Sequence, residues 1–204
     1  MSKTCPDCSR GGFTNLGMHI SQSNCIYPDL SEYHVDILIG ALMGDGHVRD
    51  TGLFEIGVIN RDYLEWLVKE LPNWLITSSG IQLNFDDRES SQDYFKIRTV
   101  SCDETKHMRN LWYNSGEKKF PLEEINLSKT IMRHWYVTDG GLDERNRVTF
   151  YSTNERTTEL RDWLIENGYD CCSDSYSVRL NKDQSNDFLN NIDTLPGYEY
   201  KFNL

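Results

Sequence analysis

The sequence predicts an α+β fold: two similar repeats of helices and strands, preceded by a small metal-stapled module. Three observations predict it. An apolar helix leading into Asp45-Gly46 recurs as one leading into Asp139-Gly140. Fourteen residues after each glycine stands an asparagine, Asn60 or Asn154, opening a helix that carries Trp66-Leu67 or Trp163-Leu164. The first 30 residues hold three of the six cysteines and few aliphatic side chains. A repeated order of this length predicts a pseudo-two-fold arrangement.

The elements follow in chain order. Cys5, Cys8, His19 and Cys25 form C-x2-C-x10-H-x5-C. A cysteine pair followed by a distal His and Cys is the ligand set of a tetrahedral structural Zn²⁺ site, and the stretch resembles a zinc finger. Thirty residues fold only with such a staple, and Phe13 and Leu16 are its candidate core. Pro28-Asp29 reads as the turn or linker that ends this first domain, residues 1–30. The second domain is residues 31–204, with repeats at about 33–128 and 129–204. In the first repeat we read an apolar helix over 35–43 with small Gly40, Ala41 and Gly44, and a strand over 53–59. An amphipathic helix over 61–71, strands over 81–85 and 94–100, and a helix over 105–113 complete it. The second repeat has a helix over 129–138, a strand over 147–152, a helix over 155–167 ended by Gly168, a strand over 175–180 and a helix over 183–192.

Composition narrows the class. Hydrophobic residues make up 38% and aromatics 12%, enough for a real core. The longest apolar stretch, 35–48, is broken by Asp36 and Asp45 and falls short of the ~20 residues a membrane span needs. With a polar, cysteine-bearing N-terminus, this predicts a cytoplasmic protein without a membrane partner. The net charge of −11 argues against nucleic acid if taken alone. Lys3 and Arg10 balance Asp7 and Asp29, so the whole excess lies beyond residue 30. An acid-rich, lysine-poor chain resembles proteins of high-salt environments, where counterion release contributes less to DNA binding.

The helix-end segments carry the chemistry. Leu38-Ile39-Gly40-Ala41-Leu42-Met43-Gly44-Asp45-Gly46 resembles the nine-residue motif of the LAGLIDADG homing endonucleases. Met132-Arg133-His134-Trp135-Tyr136-Val137-Thr138-Asp139-Gly140 is similar to the second motif of that family. His134 departs from the pattern, in which a small residue is usual, and Thr138 replaces Gly44 of the first copy. Small side chains let two helices cross closely. Each glycine after the acid is expected to let the chain turn out of its helix. Two adjacent carboxylates can share divalent cations, and Mg²⁺ suits oxygen ligands. The resemblance implies αββαββα-like repeats forming a DNA-binding saddle, catalytic Asp45 and Asp139, and Mg²⁺ held at Asp45, Gly44, Asp139 and Thr138. It implies double-stranded DNA as partner and a monomer with internal pseudo-symmetry. His47 is a further residue near the first acid.

Alternation along the strands supplies the recognition surface. Lys96 and Arg98 alternate with Phe95 and Ile97, and Arg147, Thr149 and Tyr151 with Val148 and Phe150. Ser177, Arg179 and Asn181 alternate with Val178 and Leu180. Lys96, Arg98, Arg147, Arg179 and Lys182 are the DNA-binding candidates, with Arg10 or Asn15 adding contacts from the finger. The resemblance also implies a basic residue near each acid; Lys96, Arg98, Arg179 and Lys182 remain open for that place. Two alternatives stand beside the endonuclease: a catalytically retired DNA-binding relative and an intron RNA maturase.

Overall fold

The computed structural model describes residues 2–85, 92–152 and 156–202. The chain forms two compact units, one from the residues up to Val35 together with Gly46–Lys119, the other from Asp36–Asp45 together with the chain from Phe120 onward. Among the described residues, no helix is long and apolar enough to cross a membrane.

The first unit contains α1 (Leu16–Gln22), the opening of α2 (Glu32–Met43), β1 (Gly46–Val48), β2 (Phe54–Val58) and α3 (Arg61–Glu70). It continues with β3 (Gln82–Asn84), β4 (Tyr94–Arg98), α4 (Asp103–Trp112) and a short hairpin of β5 (Tyr113–Asn114) and β6 (Glu117–Lys118). Its four-stranded sheet runs β1-β2-β4-β3, antiparallel throughout. One face is apolar: Val48, Phe54, Ile56, Val58 and Ile97 are buried, as are Tyr63, Leu64 and Leu67 of α3 and Met108 and Trp112 of α4. The other face is polar. Asn60 opens α3 as read from the sequence, its side chain accepting a hydrogen bond from the Asp62 N–H.

The second unit repeats this plan. The rest of α2 is followed by α5 (Lys129–Asp139), β7 (Gly140–Leu142), β8 (Val148–Tyr151) and α6 (Thr157–Glu166). Then come β9 (Cys171–Ser173), β10 (Ser177–Leu180) and α7 (Lys182–Asn191). The sheet order is β7-β8-β10-β9, matching the first strand for strand. Its core is aromatic: Trp135 stacks on Phe150 at 4.1 Å, and Tyr136 meets Phe188 edge-on at 5.4 Å. Gly168, at φ +88°, ends the last turn of α6 as expected. The expected helix opening at Thr153, Asn154 and Glu155 lies outside the described residues.

Three differences have physical reasons. Strands β1, β7 and β9 have only three residues each, too few to show a period of two. The exit from α5 is not a left-handed glycine turn: Gly140 is extended, at φ −101° and ψ 173°. Glycine is required there by contact, since a Cβ would lie 2.6 Å from the Tyr136 ring and 2.7 Å from its carbonyl oxygen. Finally, α7 begins at Lys182 because the Asn181 side chain accepts from the Gln184 N–H and caps it.

Candidate active site and nucleic-acid interface

The two motif segments belong to one unit, and their contact is built from glycine facing bulk. A Cβ on Gly40 would lie 2.5 Å from the Ile131 carbonyl oxygen and 2.7 Å from the His134 Cβ. A Cβ on Gly44 would lie 2.2 Å from Thr138 Oγ1 and 3.0 Å from the Asp139 Cβ. The two residues of the second motif that depart from the small-residue pattern thus fill the space that the first motif leaves empty. His134 is fully buried, and desolvation holds its imidazole well below the ordinary value, so it is neutral. Thr138 directs its hydroxyl back to the His134 carbonyl at 2.8 Å.

This contact brings the acids together. Asp45 lies in the turn after α2 and is exposed; Asp139 is the last residue of α5 and is half-buried. Lys201, in the 3₁₀ turn Glu199–Lys201, interacts electrostatically with both. Its ammonium donates to the carbonyls of Val137 at 2.8 Å and Gly140 at 2.7 Å, closing the C-terminal end of α5. Burial lowers the Lys201 pKa, while Asp45 and Asp139 act to raise it. In the first unit Lys118 makes the matching bond, donating to the Gly46 carbonyl at 2.8 Å. A lysine therefore grips the carbonyl of the glycine after each acid. Sequence reasoning missed both lysines, because each lies more than 60 residues from its glycine.

The sequence model of the LAGLIDADG DNA endonuclease family matches residues 35–186. The chain belongs to this family. Its fold is similar to that of the homing endonuclease I-WcaI bound to its DNA recognition sequence, with a TM-score of 0.73 and 16% identity over 87% of this chain and 89% of that one. I-DmoI in complex with DNA and Ca aligns with a TM-score of 0.49 and 18% identity over 81% of this chain and 94% of that one. No curated protein matches the chain.

In this LAGLIDADG chain the polar face of each sheet carries the basic residues that alternation predicted. On the first, His47 and Arg98 flank Glu55 in register, and Gly57 separates Lys96 from the sheet edge on that side. Lys96 and Arg98 both approach Glu55. On the second, Thr149 lies between Gly141 and Arg179, with Val148, Phe150, Val178 and Leu180 fully buried beneath. Arg147 pairs with Asp143 at 2.7 Å and Arg179 with Asp174 at 2.5 Å. Lys182 is exposed at the start of α7, beyond the strand.

The N-terminal module assembles its four candidate ligands. The ligand atoms of Cys5, Cys8, His19 and Cys25 all lie within 4.8 Å of one another. Tetrahedral thiolates about 2.3 Å from zinc are roughly 3.8 Å apart, so the cluster matches that ion in size as well as donor type. The Cys5 carbonyl accepts from the Ser9 N–H and the Cys5 N–H donates to the Arg10 carbonyl, which shapes the knuckle. Cys8 is held at about 6, chiefly by a backbone hydrogen bond from Arg10, and its Sγ is 3.4 Å from His19 Nε2. Helix α1 presents His19, which stacks on Phe13 at 4.1 Å. Leu16 is buried while Phe13 is only half-buried, so the small core is Leu16 and the Phe13–His19 stack. Lys3 anchors the module, its buried ammonium donating to the carbonyls of Asn73 and Ile76, and Tyr27 stacks on Trp74 at 4.9 Å.

Proposed function

We propose that this protein is an active, site-specific endonuclease of double-stranded DNA, working as a monomer, with Asp45 and Asp139 as its catalytic carboxylates. The observation that supports this most strongly is the joint retention of the two acids at the ends of closely crossed motif segments, both acting on Lys201. The donor set fits a hard cation: two carboxylates and the neighbouring Gly44 and Thr138 carbonyls offer only oxygen, as Mg²⁺ prefers. Bound there, such a cation would neutralise the phosphodiester and lower the pKa of an attacking water.

The remaining roles fall to the chain's own groups. Gly40 and Gly44 let the carboxylates approach. Lys118 and Lys201 fix the glycine carbonyls beyond them and place positive charge where a phosphate would lie. We assign these two lysines, rather than Lys96, Arg98, Arg179 or Lys182, as the basic residues beside the acids. The polar sheet faces, with Lys96, Arg98, Arg147 and Arg179, take one half-site each, and Lys182 flanks the second. Cys5, Cys8, His19 and Cys25 hold one structural Zn²⁺. The corresponding domains are 1–30 and 31–204.

The test is cleavage of duplex libraries with Mg²⁺, followed by Asp45→Asn and Asp139→Asn. Each substitution is expected to abolish double-strand cleavage by at least ~100-fold and to leave binding of the selected site largely intact, because it removes a ligand without removing contact area. Full cleavage by either variant overturns the assignment. Selective duplex binding without cleavage by the wild type identifies a retired enzyme.

A further inference from the structure

The polar face of the first sheet is organised around one carboxylate. Glu55 is central on β2 with a side chain only 6% exposed, and four basic groups surround it. Its Oε2 accepts from Arg98 Nε and lies 3.0 Å from Arg49, which donates to Oε1 at 3.3 Å. Its Oε1 lies 3.5 Å from His47 Nε2 and 3.7 Å from Lys96 Nζ. Burial pushes the Glu55 carboxyl up, but hydrogen bonds from Arg98 and Arg49 and the charge of Lys96 hold it below the usual range. It is therefore ionised and lies at the centre of the cationic groups.

The second sheet is built differently. Thr149 stands in the register of Glu55, between Gly141 and Arg179 as Glu55 stands between His47 and Arg98. There each arginine has an aspartate of its own: Arg147 has Asp143, and Arg179 has Asp174. Three permanent cations against one carboxylate leave the first cluster at +2 with His47 neutral, while the second set sums to zero.

We propose that Glu55 is a positioning residue that gathers Arg49, Lys96 and Arg98 into one rigid cationic array for the DNA half-site facing the first sheet, making that half-site the more salt-dependent of the two. The inference rests on the reading of the sheets as DNA-binding faces. Lys96 and Arg98 project from the same face of one strand only about 7 Å apart, so without an anion between them they repel and splay. Long cationic side chains held in place lose less rotamer freedom on binding, which favours reading base edges over loose phosphate contact. The paired arginines of the second face contribute less counterion release, and that face relies more on shape and hydrogen bonds.

The experiment measures equilibrium binding of the full zinc-loaded chain to its selected duplex and to sets randomised in one half-site at a time, at several salt concentrations. Wild type is compared with Glu55→Gln and Glu55→Asp. Glu55→Gln is expected to lose at least ~10-fold of its discrimination in the first-sheet half-site and to steepen the salt slope by about one unit, with the other half-site unchanged. Glu55→Asp keeps the charge on a shorter arm; its salt slope is expected to stay at the wild-type value while discrimination falls only in part. If Glu55→Gln fails to melt cooperatively, the Glu55→Asp comparison decides alone. An unchanged first half-site profile, or an equal change in both halves, overturns the role of Glu55. A wild type with no selective duplex binding overturns the DNA reading itself, and is seen before any variant is compared.

Discussion

At the scale of single residues, the site is a set of compensations across a helix contact. Gly40→Ala drives a Cβ into the Ile131 carbonyl, backbone that cannot swing away. It is expected to cost about 1–3 kcal/mol, read as a shifted midpoint in urea with unchanged slope. A second residue-scale prediction concerns acid. Asp143 and Asp174 are held below the usual carboxylate range despite some desolvation, Asp143 by hydrogen bonds from Arg147 and Arg145, Asp174 by those from Tyr176 and Ser177. A depressed folded value adds stability above the unfolded value of about 3.9, lost as pH falls through the folded one. The Asp143→Asn variant is therefore expected to melt lower than wild type at pH 6, with the gap narrowing as pH falls below the unfolded value. The acids were legible in the sequence because Asp-Gly recurs after two apolar segments. Lys118 and Lys201 were not, because no local pattern marks a lysine that meets its carbonyl 72 or 61 residues away.

At the scale of elements, long periodic helices were legible and short strands were not. Helix α3, with Tyr63, Leu64 and Leu67 buried on one side, declared itself through its apolar spacing. The hairpin β5–β6 has two residues per strand, yet it delivers Lys118. The Cys/His cluster was legible through ligand spacing alone, and its seven-residue helix α1 is too short to persist unaided. Removing the metal with a chelator is expected to unfold this segment and separate Tyr27 from Trp74, giving a change in tryptophan emission. Elemental analysis should return one zinc per chain, and Cys8→Ser should abolish it. At the far end of α6, Gly168→Ala is expected to cost about 1–2 kcal/mol, because φ of +88° strains any residue with a Cβ.

At the scale of the whole molecule, the chain combines a charge of −11 with membership of a DNA endonuclease family. The polar sheet faces carry Lys96, Arg98, Arg147 and Arg179, with Glu55, Asp143 and Asp174 paired to them. Self-repulsion of the acidic body opposes folding, so raising KCl from about 0.1 to 1 M is expected to raise the melting temperature, measured by calorimetry. The fold class was legible because the duplication is written twice in the chain. The pairing of each arginine was not, because alternation assigns a side chain to a face without naming its neighbours.

The fit of Gly40 to His134 and of Gly44 to Thr138 has a consequence for engineering. The two motifs fit as lock and key. A homodimer of the second half would set His134 against its own copy, with no glycine opposite to make room for it. Chimaeras that exchange halves with a relative must carry Asp36–Asp45 together with the chain from Phe120 onward, although 74 residues of the other half intervene.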